Sequence, residues 1–222
     1  MQGYHRQGAG IAPVSVFPLA EVVLFPGMVL SLPIAASRYR AMVADAWATD
    51  RCICTAMVHP LEGMVHPLEG DDAQPALCEM GCAGEIIRLD DDAVWVQGTH
   101  RVRLLEEVSG DQRPYPRFLA ELIPKPSCGA LRGVSEQLAV LQGCLIRLVR
   151  TPNARHQPLV EAFWATADPS ELMDILWATL VSEPRRQQAF LATTDIHQRL
   201  LGLIDTLAEA MLDVDGAPAL DA

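Results

Sequence analysis

Residues 22–36 read VVLFPGMVLSLPIAA, and the way this stretch is parsed decides the fold. It is the longest apolar stretch in the chain, fifteen residues without a charge, and it contains Pro26 and Pro33. A helix that spans a bilayer needs about twenty apolar residues without such interruptions, so a transmembrane reading fails. Pro26-Gly27 is a turn signal. Beyond it, Met28, Leu30, Leu32 and Ile34 recur at a period of two, the pattern of a strand with one buried face.

Working outward, the same signal recurs up to about Ile123. Val14 and Val16 alternate with small or polar neighbours, and residues 52–58, 84–89, 93–97, 101–105 and 117–123 read as further strands. Asp90-Asp91-Asp92 is a solvated hairpin turn between two of them. One helix interrupts the series over 38–49, with Ser37 as its expected N-cap. Tyr39, Met42, Val43, Ala46 and Trp47 lie on one helical face and cover an open end or face of the sheet.

Pro124, Pro126 and Gly129 punctuate the chain, and the period then changes. Leu131, Val134, Leu138, Leu141, Leu145 and Leu148 are spaced three and four apart, which predicts one continuous helix of roughly five turns with an apolar seam. Ile196, Leu200, Leu203, Leu207 and Ala210 supply a second seam. Between them, Asp168-Pro169-Ser170-Glu171 places Asp at the N-cap, Pro at N1 and Glu at N3, the opening of a short helix through about Val181. The expectation is therefore an α+β chain: a β domain over 13–124, a helical bundle over 129–213, and flexible termini at 1–12 and 214–222. MVHPLEG at 57–63 is repeated without change at 64–70, as a recent duplication inside a tolerant loop would leave it.

Composition narrows the chemistry. Of 222 residues half are hydrophobic and 20% charged, which excludes extensive disorder. The net charge is −11, and over residues 1–124 nine Arg face sixteen Asp and Glu. Phosphate repels such a surface, so no nucleic acid is expected as a partner. The N-terminus MQGYHRQGAGIAP has no apolar core segment of a secretory signal, which points to the cytoplasm, with no membrane partner; Cys52, Cys54, Cys78, Cys82, Cys128 and Cys144 are then free thiols.

The basic residues are sixteen Arg and a single Lys, Lys125, held between Pro124 and Pro126. A phosphate-binding GxxxxGK[ST] loop cannot be built without another lysine, and a solvated linker lysine is a poor general base, so P-loop ATP hydrolysis and a Ser-Lys dyad are both excluded. GxSxG, HExxH and CxxC are missing as well. Cys52 and Cys54 on a strand, with Cys78 and Cys82 separated by three intervening residues, have the wrong spacing for a zinc knuckle, and the paired His59 and His66 are loop histidines. No metal, cofactor or catalytic residue is expected, and the chain is read as no enzyme.

Four segments carry a family resemblance. Val16-Phe17-Pro18-Leu19, Val22-Val23-Leu24-Phe25-Pro26-Gly27, Leu32-Pro33-Ile34 and Arg38-Tyr39-Arg40, in that order and at those gaps, resemble the opening of the Lon N-terminal (substrate-binding) domain family. Gly81-Cys82-Ala83-Gly84-Glu85-Ile86 is similar to its VGxxGxI strand, 94–103 to its VxGxxRxR hairpin, and Gln188-Ala189-Phe190-Leu191 with Asp195 through Leu200 to its QxLLE and DxxxRL signatures. The duplicated loop and Ala35-Ala36-Ser37 depart from the pattern.

The resemblance implies a PUA-like β pseudobarrel with one covering helix, followed by a C-terminal α-helical bundle. It implies a non-catalytic protein- or peptide-binding module like the substrate-recognition domain of ATP-dependent Lon protease, without its ATPase and peptidase modules. Unfolded or specific client proteins would be the partners, and Arg38, Tyr39, Trp95, Arg101 and Arg103 the candidate peptide-binding residues. A small-molecule or RNA-binding PUA-like protein is the alternative; it requires that arginines such as Arg38, Arg40, Arg101, Arg103, Arg113 and Arg117 gather around one cleft. The sequence leaves the oligomeric state open.

Overall fold

The computed structural model describes residues 10–59, 76–108, 112–149 and 168–215. Most of the duplicated segment, His66, Trp164 and both chain ends lie outside the described residues. The architecture is mixed α+β and divides into two compact units. The first comprises Met1–Lys125 with Pro184–Ala192, the second Pro126–Glu183 with Thr193–Ala222.

The first unit is a six-stranded sheet: β1 (Ile11–Leu19), β2 (Val29–Pro33), β3 (Cys52–Val58), β4 (Leu77–Leu89), β5 (Ala93–Glu107) and β6 (Arg117–Leu122), in the order β2-β5-β4-β3-β1-β6. β6 also pairs with β5, so the ladder returns on itself. All pairs are antiparallel except β1 and β3, which run parallel from Val16↔Cys54 to Leu19↔Met57. A parallel pair needs a crossover. Here β2 and helix α1 (Ser37–Ala48) provide it.

The Pro26-Gly27 signal is a hydrogen-bonded turn. The Met28 N–H donates to the Phe25 carbonyl at 3.1 Å and Gly27 has φ 84°, the conformation that a type II turn requires after Pro at its second position. The acidic turn is also present, closed by the Asp90 N–H on the Ala93 carbonyl at 2.9 Å.

Two expectations change in this unit. Residues 93–97 and 101–105 form one continuous strand, β5, and not the two arms of a hairpin. Gly98 is needed within it because a Cβ there would come within 2.2 Å of the Phe25 carbonyl oxygen. Its N–H and C=O bond Met28 O and Gly27 N at 2.8 and 2.9 Å, so strand continuity and close approach explain this glycine together. Ser37 is not a cap either: Ala36 holds that position with an extended backbone and no side-chain bond, and Ser37 is the first helical residue. The expected face of α1 does reach the core, where Tyr39, Met42, Val43 and Ala46 pack with Phe17, Leu24, Ile53 and Val96. Trp47 remains partly exposed, its ring beneath the Arg51 guanidinium at 4.2 Å.

In the second unit the expected long helix is interrupted. Helix α2 (Cys128–Gly133) ends at a glycine, whose backbone entropy disfavours helix, and α3 (Ser135–Val149) restarts with the Leu138 N–H on the Val134 carbonyl at 2.9 Å. The seam survives the break, with Val134, Leu141 and Leu145 buried. Helix α4 (Pro169–Leu180) begins as its sequence predicts, with the Asp168 carboxylate accepting from the Ser170 N–H at 2.8 Å. Helix α6 (Ile196–Asp215) buries Ile196, Leu200, Leu203 and Leu207 and packs against both α3 and α4. Each such leucine contributes about 1.5–3 kcal/mol over an exposed one. The remaining helix, α5 (Pro184–Ala192), belongs to the first unit, where it packs on β4.

Candidate functional site

Within the first unit, strand pairing leaves one edge open. Among the described residues β2 alone has a single strand neighbour. Gly98 N–H donates to Met28 O and Ile34 N–H to Asp92 O, so in this antiparallel register the backbone groups of Met28, Leu30, Leu32 and Ile34 turn toward β5. Those of Val29, Ser31 and Pro33 turn toward the open edge, where Pro33 sacrifices no ladder bond.

The outer face beside this edge is built by cross-strand rows. Val94 and Val96 point into the core, so Trp95 between them points out, opposite Ser31 on β2 and Arg88 on β4. A bulge in β4 between Ile86 and Arg88 turns Ile87 outward and seats Arg88 against Trp95, its guanidinium 4.4 Å from the ring centroid. Arg88 is also bonded to Asp90 at 2.6 and 3.1 Å. Val29 at 49% and Ile87 at 45% exposure flank the indole, giving a small apolar face with a polar rim.

A second feature is a cleft of about 270 Å³ between the C-terminal turn of α1 and the approach to β6. It opens because β1 and β3 pair only from Val16 and Cys54 onward, whereas Val14 and Ser15 pair with β6. Asp45, Asp50, Arg113 and Arg117 all line it. Tyr115, 5% exposed, joins them: its hydroxyl donates to the Asp45 carboxylate at 2.6 Å and accepts from Arg113 at 3.0 Å. Burial, reinforced by the bond to Asp45, raises the Tyr115 phenol above its usual range, with Arg113 opposing.

Thiols do not supply a nucleophile here. Cys52, at the cleft, is pushed up to about 12 by burial and by the nearby Asp50 and Glu85 carboxylates, and burial raises Cys54 and Cys78 as well. A thiol held protonated is unreactive at neutral pH. Cys52, Cys54, Cys78, Cys82 and Cys144 are free, and among the described residues no three His, Cys, Asp or Glu side chains are placed to hold a metal ion.

The residues singled out from sequence go to separate places. Tyr39 is buried against Phe17 with ring centroids 4.8 Å apart, and the Arg38 guanidinium stacks on it. Burial raises its phenol, which the Arg38 charge partly offsets. Arg101 is buried and donates its Nε–H to the Leu191 carbonyl of α5 at 2.9 Å. Arg103 pairs with Glu121 at 3.1 Å, both partly exposed. Trp95 lies on the outer face beside β2. Of the six arginines that an anion site would gather, Arg113 and Arg117 line the cleft, together with two aspartates.

The RPYPR stretch at 113–117, a tyrosine fixed between prolines and flanked by arginines, is the sequence signal that could have marked the cleft. The signature residues of the helical region are structural clasps. Gln188 donates to the Met80 carbonyl at 2.8 Å, and Phe190 packs on Phe25. In the second unit Asp195 caps α6 by accepting from the Gln198 N–H, and Arg199 bonds the Asp174 carboxylate and Ser170.

Comparison with known proteins follows the fold. A family model described as the ATP-dependent protease La (LON) substrate-binding domain matches residues 13–209. Among curated relatives, "Lon protease" of Roseiflexus castenholzii is 27% identical over 198 residues, covering 86% of this chain and 23% of its own length. "Lon protease 2" of Myxococcus xanthus is 26% identical over 203 residues, with coverages of 86% and 23%. The chain thus spans about a quarter of the length of these relatives. Among solved structures, the N-terminal domain of a Mycobacterium avium complex Lon protease matches at TM-score 0.64 and 18% identity, covering 89% of this chain and 99% of that one. A Lon N-terminal domain protein from Xanthomonas campestris matches at TM-score 0.54 and 18% identity, covering 88% and 98%. At these identities the likeness is one of fold.

Proposed function

Because this chain belongs to the ATP-dependent protease La (LON) substrate-binding domain family, we propose that it binds protein substrates without transforming them, and that an extended substrate segment docks along β2. The open edge of β2 carries this reading. Val29 and Ser31 offer N–H and C=O groups to an added strand, and Val29, Trp95 and Ile87 offer apolar surface to its side chains. Main-chain bonds of that kind supply affinity with little sequence preference, and the neighbouring apolar face supplies the preference. An unfolded client presents such segments, whereas a folded one keeps its strands paired.

The sheet that returns on itself supports a PUA-like pseudobarrel, and α6 packed on α3 and α4 supports a helical bundle. We place the protein in the cytoplasm, a reading supported by its free thiols. No described helix is long and apolar enough to cross a membrane.

Fluorescence anisotropy of labelled casein, an unfolded protein, tests the function. Wild-type protein should bind it. Ser31→Pro removes an edge N–H while leaving the β5 ladder intact, and Trp95→Ala removes the apolar anchor. Each should weaken binding by about tenfold or more at unchanged melting temperature. Casein binding that ignores both substitutions would relocate the site, and binding of single-stranded RNA in its place would favour the alternative reading.

A further inference from the structure

The edge of β2 is bordered by charge of one sign as well as by apolar surface. We propose, resting on the docking of an extended segment at β2, that the segment selected there is basic, with an apolar side chain at its centre and a lysine or arginine two residues to either side.

Side chains of an added strand that pair with Val29, Ser31 and Pro33 point to the same face as those residues, the outer one that carries Trp95. Ser31 is small, so the side chain opposite it reaches across to the indole. Val29 pairs with Gln97, which pairs in turn with Glu85, so the side chain opposite Val29 lies along a row that holds a carboxylate. At the other end Pro33 pairs with Ala93, and the Ile34 N–H donates to the Asp92 carbonyl at 2.9 Å. The acidic turn is thereby set beside the end of β2.

Residues 85–97, which build this border, hold four carboxylates and one guanidinium. Arg88 is bonded to Asp90, so those two charges cancel. Glu85, Asp91 and Asp92 are exposed, and among the described residues their side chains make no ion pair or hydrogen bond. Arg40 approaches from α1, which covers the inner face, and donates to the Ile34 carbonyl at 3.2 Å. Both ends of the outer face therefore carry unbalanced negative charge, and a basic segment is favoured in either strand direction. An acidic segment meets like charge at each end. A second copy of this chain, paired antiparallel about Ser31, would add like charge too and would set Pro33, which has no N–H, opposite each Val29.

The test is fluorescence anisotropy with labelled peptides that share a central phenylalanine and carry lysine, glutamine or glutamate two residues to either side. Each exposed charge contact is worth a few-fold, so the lysine peptide should bind at least about tenfold more tightly than the glutamate peptide, with glutamine between them. The advantage should shrink as salt rises. Glu85→Gln combined with Asp91→Asn and Asp92→Asn, all at exposed positions, should cut it to about threefold or less while leaving the glutamine peptide unchanged. Equal binding of the lysine and glutamate peptides, or an advantage that survives the combined variant, overturns the charge selection; docking at β2 still stands if Ser31→Pro weakens the glutamine peptide. Binding of none of the peptides, or binding that ignores Ser31→Pro, removes docking at β2 and this inference with it. A dimer in light scattering that Ser31→Pro dissociates assigns the edge to a second copy and also overturns the proposal.

Discussion

The two units keep their shape by different means. In the β unit each strand is held by backbone bonds to residues distant in sequence, and strands approach so closely that Gly81, Gly84 and Gly98 each lie where a Cβ would meet a neighbour at 2.5 Å or less. In the helical unit backbone bonds are local, and side chains alone join one helix to the next. There a seam of leucines is joined by a buried ion pair, Arg199 with Asp174, at 2% and 1% side-chain exposure. The lesson is that the first unit is vulnerable to added atoms and the second to removed ones.

The largest effect should come from the ion pair. Asp174→Ala leaves the Arg199 charge buried beside Ser170 and should cost about 3–5 kcal/mol by urea denaturation, with hydrogen exchange rising first in α4 and α6. A loss confined to β-unit amides would break the comparison. Next, Gly98→Ala adds one carbon against the Phe25 carbonyl and should cost about 1–3 kcal/mol, whereas Gly143→Ala in α3, where nothing lies within 4 Å of a Cβ, should be neutral or stabilising by up to about 1 kcal/mol. Equal effects of the two alanines would remove the distinction between crowded and open glycines.

Asp168→Ala removes the N-cap of α4 and should cost about 1 kcal/mol, while Asp168→Asn should restore most of it. The smallest effect belongs to Arg103→Ala on the β surface. Its bond to Glu121 is shared with water at 44% and 39% exposure, and its loss should stay below about 1 kcal/mol and shrink further in salt. Reactivity gives a separate check on the cleft. Cys52 is held at about 12, so its alkylation by iodoacetamide should be slow at pH 8 and climb with pH toward that value, whereas an ordinary thiol levels off near its own pKa of about 8.5.

Much of this was legible in the residues. Period-two alternation located β2, the Asp-Pro-Ser-Glu start located α4, and the leucine spacings located the seams of α3 and α6. Ser37 was misread because a capping side chain looks the same one position inside the helix. The hairpin expected over 94–103 is one strand instead, because a glycine that turns the chain and one that admits a neighbour look alike in sequence. Of the candidate contacts, Trp95 could be placed on a strand, but not opposite Arg88, since that pairing depends on the bulge at Ile87.

The sequence by itself determined the local patterns: where strands alternate, where helices begin, which faces are apolar, and the family to which the chain belongs. These follow from periodicity and cap chemistry, which act over a few residues. Only the tertiary structure decided that β1 pairs with β6 up to Ser15 and runs parallel with β3 from Val16, that β2 keeps an open edge, that α5 belongs with the sheet, and that Arg199 meets Asp174. Those outcomes depend on which of many distant partners wins in the packed state, and no spacing along the chain records that competition.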